Sequence, residues 1–115
     1  DTMRATAMGG YDHCLSVKGW EPDAPRRPLP VAEVLEPKSG RTMSVKSTMP
    51  GFQFYTGNNL PGTPGRSGET LQGQEAFCLE TQFFPDSVNH PEFPDSILRP
   101  GQEYYHVTVH TFGAE

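Results

Sequence analysis

Apolar and polar residues alternate in short runs along this chain, and nearly every run closes on glycine or proline. Tyr11 to Val17 is the first such run, ended by Lys18-Gly19. Val31 to Leu35 is the second, and Pro37-Lys38-Ser39-Gly40 then reads as a hairpin turn into Arg41 to Thr48. Pro50-Gly51 breaks the chain before Phe52 to Thr56, an aromatic-rich run. Ala76 to Gln82 follows, and a long run from Tyr104 to Phe112 comes last. Runs of this length and period predict strands. No stretch of helical length keeps apolar residues at i, i+3, i+4 and i+7 without meeting Pro or Gly. The predicted fold class is all-β.

Three segments between these runs read as loops. Trp20 to Pro30 holds Pro22, Pro25, Pro28 and Pro30, which bars a central strand. Gly57 to Gly73 is rich in glycine, and Phe83 to Gly101 carries four prolines. The last segment also has Phe83, Phe84, Val88, Phe93, Ile97 and Leu98, so it is expected to pack rather than float.

Composition narrows the possibilities. With 115 residues, one domain fits and a second would be cramped. Nine basic residues stand against 14 acidic ones, a net charge of -5. The only dense cationic spot is Arg26-Arg27, so neither nucleic acid nor an anionic membrane surface is an expected partner. No apolar run is long enough to span a bilayer. The chain opens on Asp1 without a charged-then-apolar leader, which suggests a fragment or processed piece. Cys14 and Cys78 are too few for a disulfide framework and lack zinc-site spacing. They read as two free, half-buried thiols in a reducing, cytoplasmic setting, with a single Cys14–Cys78 bridge as the alternative.

Glu80 is the leading candidate for chemistry. It sits in Phe77-Cys78-Leu79-Glu80-Thr81-Gln82, among apolar neighbours. Period two puts Cys78, Glu80 and Gln82 on one face, so Glu80 is either a solvent-facing strand position or a general base lining a polar cleft. Asp12-His13, after Gly9-Gly10, either starts a strand or orients a hydroxyl-rich ligand. Gln53, Phe54, Tyr55 and Asn58 group amides with aromatics, a combination suited to a sugar's polar edge and apolar face, or to a buried aromatic strand. His106 and His110 share a face but lack further metal ligands, and Asn89-His90 reads best as stabilising its loop. The chain has neither a phosphate-binding Gly-rich loop nor a Gly-x-Ser-x-Gly elbow.

Several of these stretches resemble one known family. Gly51-Phe52-Gln53-Phe54-Tyr55-Thr56-Gly57-Asn58 and Phe77-Cys78-Leu79-Glu80-Thr81-Gln82 are similar to segments of the galactose mutarotases, or aldose 1-epimerases. So are Pro85-Asp86-Ser87-Val88-Asn89-His90-Pro91, Phe93-Pro94, and Leu98-Arg99-Pro100-Gly101 with Tyr104. Tyr11-Asp12-His13 resembles the family's Asp-His signature, and the likeness runs from about residue 9 to 112. The resemblance implies an antiparallel β-supersandwich, of which this chain is the C-terminal portion. It implies Glu80 as catalytic base, Asp12 and Gln53 as sugar-binding residues, and no metal or cofactor. The implied reaction interconverts the α and β anomers of free aldohexoses such as galactose or glucose.

The chain departs from the family in length. The family's acid histidine, its companion histidine and a substrate-binding arginine lie upstream of anything present here, and none of His13, His90, His106 or His110 takes their place. An N-terminal segment of the same enzyme is thus an expected partner. Two other readings stand beside this one: a sugar-phosphate epimerase, and a non-catalytic carbohydrate-binding β-sandwich module.

Overall fold

The computed structural model describes residues 9–23 and 27–115; Pro25 and Arg26, noted above, lie outside them. Six strands form two antiparallel three-stranded sheets, with no α-helix among the described residues. They are β1 (Asp12–Ser16), β2 (Leu29–Glu36), β3 (Arg41–Ser47), β4 (Gly51–Tyr55), β5 (Cys78–Gln82) and β6 (Thr108–Ala114). The all-β expectation holds. The chain clusters into two compact units, one of Asp1–Leu15 with Gln53–Glu80 and the other of Ser16–Phe52 with Thr81–Glu115.

The second unit is built on the hairpin legible in the sequence. β2 and β3 pair antiparallel from Leu29 opposite Ser47 to Glu36 opposite Arg41, and β6 pairs along the other side of β3. The turn between β2 and β3 is closed by the Gly40 N–H donating to the Glu36 carbonyl at 2.9 Å. Gly40 has φ 69°, a left-handed conformation that glycine adopts without steric cost. The Glu36 carboxylate folds over the turn and accepts from the N–H of Lys38 at 2.9 Å and of Ser39 at 2.7 Å. β2 begins at Leu29 rather than Val31, so the end of the proline-rich segment is a strand. Pro30 is tolerated because β2 is an outer strand, and the register shifts between Pro30 and Ala32.

Val45, 1% exposed, and Ser47 anchor the core of this unit. The buried hydroxyls are matched rather than stranded. Ser47 Oγ meets the Val107 carbonyl and accepts from the Met49 N–H, while the Thr48 N–H donates to the Val107 carbonyl at 3.0 Å. The Trp20 indole donates to the Thr48 carbonyl at 2.9 Å. The predicted run from Tyr104 starts later, with β6 at Thr108. The Val107 N–H donates to the Thr48 hydroxyl instead of a backbone carbonyl, so the ladder breaks there. The proline-rich loop after β5 is partly packed as expected: Phe84 meets Phe93 edge-on at 5.2 Å, and Arg99 pairs with Asp95 at 2.6 Å. Val88, Ile97 and Leu98 are exposed, against expectation, because the prolines hold this loop on the surface.

The first unit holds most of β1, β4 and β5, paired in that order. Among the described residues, no helix is long and apolar enough to cross a membrane.

The Glu36 turn yields a pH-dependent prediction. The Ser39 hydroxyl, then the Lys38 and Ser39 N–H groups, hold the Glu36 carboxyl below its ordinary range. A depressed folded pKa stabilises above the unfolded value, and that contribution is lost as pH falls through the folded value. Glu36→Gln should therefore lower the urea midpoint at pH 7 and leave it nearer to the parent's once the carboxylate is protonated. An equal gap at both pH values would contradict this account of the turn.

Candidate active site on β1, β4 and β5

The approach of the chain into β1 is set by Gly10. A Cβ there would lie 2.1 Å from Asn58 Oδ1 and 2.4 Å from Thr56 Oγ1, so only glycine lets the backbone pass. Beyond it, the Tyr11 N–H donates to Thr56 Oγ1 at 2.8 Å. The Thr56 N–H donates back to the Tyr11 carbonyl at 3.1 Å, which also accepts from Asn58 Nδ2 at 3.0 Å. The Thr56 hydroxyl passes its own proton to Asn58 Oδ1 at 2.8 Å. Thr56 is buried, so these bonds are sheltered from water.

With Tyr11 opposite Thr56, the antiparallel register sets Asp12 beside Tyr55 and brings Gln53 onto the same face. The contact follows: Gln53 Nε2 donates to Asp12 Oδ1 at 2.6 Å. That bond fixes the orientation of the amide, because a carboxylate can only accept. Gln53 Oε1 is thereby turned away, and it is buried with no hydrogen-bond partner among the described residues. A lone buried acceptor costs about 1–3 kcal/mol.

The opposite face is aromatic. Tyr11 packs on Phe54 at 5.1 Å and on His13 at 5.8 Å, and Phe54 meets Phe77 edge-on at 6.4 Å. The grouping of Gln53 with Phe54 expected from sequence is corrected here, since adjacent strand residues point to opposite faces. Tyr55 shares the face of Gln53, and its hydroxyl accepts from the Asn59 N–H at 2.8 Å.

Phe77, just before β5, meets Phe54 on the aromatic side, and within β5 Cys78 and Glu80 share one face by alternation. Because β4 lies between β1 and β5, three neighbouring strands each carry one of the three residues. Asp12 and Gln53 are brought into contact. Glu80 is exposed, and its carboxylate makes no hydrogen bond or ion pair with a described residue.

The other candidates stand elsewhere. His106 Nδ1 lies 3.2 Å from the Thr48 hydroxyl, and its ring packs between Phe83 and Tyr104. His110 lies on β6, stacked with Phe112. His90 stabilises its loop, with Nδ1 2.9 Å from Glu92 and Nε2 3.5 Å from Asp86, while Asn89 donates to Asp86. The Glu92 carboxyl is held below its ordinary range by its own backbone N–H first and then by His90. Cys14 and Cys78 are unbridged; Cys14 is half-buried as expected, whereas Cys78 is exposed because it sits on the open face of β5.

A cavity of about 780 Å³ opens in the second unit, lined by Trp20, Arg27, Thr48, Phe83, Asp95 and His106. Two of its polar groups are already engaged: the Trp20 indole by Thr48, and the Asp95 carboxylate by Arg99 and the Ile97 N–H. Sequence reasoning missed Gly10 and Thr56, whose roles show only once the two strands are paired.

The profile of the family described as aldose 1-epimerase matches residues 1–111. This chain belongs to the aldose 1-epimerase family. It is 46% identical over 111 residues to a galactose mutarotase of Rattus norvegicus, covering 96% of this chain and 31% of that protein. A galactose mutarotase of Homo sapiens is 44% identical over 106 residues, covering 91% of this chain and 30% of that protein. An aldose 1-epimerase of Escherichia coli is 42% identical over 110 residues, covering 92% and 30%. The chain thus spans about 30% of the length of the curated relatives it matches. Its two antiparallel sheets are consistent with part of an aldose 1-epimerase β-sandwich.

The clamp around Tyr11 makes its own prediction. Gly10→Ala should destabilise the chain by about 1–3 kcal/mol through overpacking against Asn58 and Thr56, read as a lowered denaturation midpoint. An unchanged midpoint would show that the strand approach is looser than described.

Proposed function

We propose that residues 1–115 are the C-terminal region of an aldose 1-epimerase domain and carry the base side of its site. The reaction is the interconversion of α and β anomers of a free aldohexose such as galactose or glucose. The observation that carries the reading is the bond by which Gln53 on β4 holds Asp12 on β1, with β5, the strand of Glu80, next to β4 in the same sheet.

In this mechanism the Glu80 carboxylate takes the proton from the C1 hydroxyl. The C1–O bond to the ring oxygen breaks as the C1 carbonyl forms, and the ring oxygen takes a proton from an acid. Rotation about C1–C2 and reclosure by the reverse transfers give the other anomer. Asp12 accepts from sugar hydroxyls, with Gln53 beside it as the second sugar-binding residue, and together they hold the reducing carbon against Glu80. The acid comes from a segment outside this chain, because none of His13, His90, His106 or His110 occupies the place of the acid histidine in the family's motif. Two unbridged thiols support a reducing, cytoplasmic setting.

A carbohydrate-binding module without turnover is the second reading, favoured by an exposed Glu80 carboxylate that has no partner among the described residues. The sugar-phosphate alternative has less support, since Arg27 lines the cavity of the second unit and Arg26 lies outside the described residues.

Polarimetry on freshly dissolved α-galactose separates these readings. The isolated chain should show little or no catalysis. Joined to the upstream part of the rat galactose mutarotase, it should be active, and Glu80→Gln should then slow it about 10²–10⁴-fold. Full-speed catalysis by the chain alone would refute the missing acid. If Glu80→Gln leaves sugar binding intact and the joined protein is inactive from the start, the binding module is correct.

A further inference from the structure

The glycine-rich stretch after β4 is closed on itself. The Leu71 N–H donates to the Thr63 carbonyl at 2.9 Å, the Gly62 N–H donates to the Leu71 carbonyl at 3.2 Å, and Pro64 pairs with Thr70. Its ends are tied together as well, since the Gly57 carbonyl accepts from the Gln74 N–H at 3.4 Å. Each end sends one side-chain amide to the chain just ahead of Asp12. Asn58 Nδ2 donates to the Tyr11 carbonyl at 3.0 Å, and Gln74 Nε2 donates to the Gly9 carbonyl. Gln74 holds φ 67°, a left-handed conformation uncommon for its residue type.

These contacts matter because the backbone of Asp12 is not held by β4. The Thr56 N–H donates to the Tyr11 carbonyl, so Tyr11 turns its backbone groups toward β4 and Asp12, the next residue, turns its own away. The Asp12 N–H donates to the neighbouring His13 Nδ1 at 3.1 Å instead. The Tyr11 carbonyl and the Asp12 N–H share one rigid peptide plane, so whatever fixes that carbonyl also fixes the start of Asp12. Asn58 supplies one of the donors on it, in a part-buried setting where a hydrogen bond is stronger than in water. Both polar atoms of the Asn58 amide are taken up inside the protein, by the Tyr11 carbonyl and the Thr56 hydroxyl. Its part is therefore structural support for the site rather than contact with a sugar.

We infer that Asn58 and Gln74 are positioning residues for Asp12. The loop between them holds Gly9 and Tyr11 so that the Asp12 carboxylate meets Gln53 Nε2. The inference rests on the reading of Asp12 as a sugar-binding residue. Without the two amides the Tyr11 carbonyl loses its side-chain donor, and the peptide leading into Asp12 can rock about the Thr56 bond. A displacement of about 1 Å at a group that holds substrate is enough to slow a reaction on the order of 10²-fold.

Two measurements test this. In the 115-residue chain, the side-chain amide resonances of Gln53 report its bond to Asp12. Asn58→Ala should shift them. Gln74→Gly removes the second amide at a φ that glycine adopts freely, and it should shift them less, because Gln74 is exposed. The backbone amides of β5 should stay in place in both variants, which shows that the sheet is kept. In the protein joined to the upstream part of the rat galactose mutarotase, polarimetry should show that Asn58→Ala lowers kcat/KM about tenfold. In an Asp12→Asn background the same substitution should cost less than about twofold, because the amide acts through that carboxylate. An equal loss in both backgrounds would overturn the proposal, and so would Gln53 resonances that neither variant moves. A joined protein that is inactive from the start would strike the proposed reaction instead, and the Gln53 amide would still decide the positioning by itself.

Discussion

The antiparallel pairing of β1 with β4, pinned at the Tyr11–Thr56 exchange, is the constraint on which the site depends. A slip of one residue would turn every side chain of β1 to the other face. Asp12 would then leave Gln53, and the aromatic side would lose Tyr11. Gly10, lacking a Cβ, and the buried Thr56 hydroxyl make such a slip costly, because neither the close approach nor the matched hydrogen bonds survive it. One hydroxyl and one missing methyl thus govern the chemistry of a whole strand.

Hydroxyls do comparable work in the second unit. Ser47 and Thr48 lie buried at the end of β3 and take up backbone groups of Val107 and Met49 that a regular ladder would have matched. Their side chains end β6 at Thr108 and orient the extended stretch before it, where His106 packs between two aromatic rings. Apolar substitution would leave those backbone groups without partners, at about 1–3 kcal/mol each.

Much of the fold was legible. Each of the six strands coincides with an alternating run, because alternation and turn residues are local signals. The Pro37–Gly40 turn was clear for the same reason. The boundaries that moved were those decided at a distance: Leu29 and Pro30 joined β2 because an outer strand tolerates proline, and Tyr104 to Val107 left β6 because Thr48 intercepts a backbone donor. Glu80, Asp12 and Gln53 could be singled out by resemblance to aldose 1-epimerases. The order of the strands that carry them could not, since the sequence contains no statement of which strands are neighbours.

The all-β class, the places of the turns and the family follow from the sequence, since these depend on side-chain period, on Gly and Pro, and on motifs within short spans. Tertiary structure alone decided that β4 lies between β1 and β5, that Phe54 turns away from Gln53, and that Gln53 spends its donor on Asp12 while its oxygen stays unpaired. The physical reason is the same in each case: strand neighbours and hydrogen-bond partners are chosen by contacts across dozens of residues, and local patterning is blind to them.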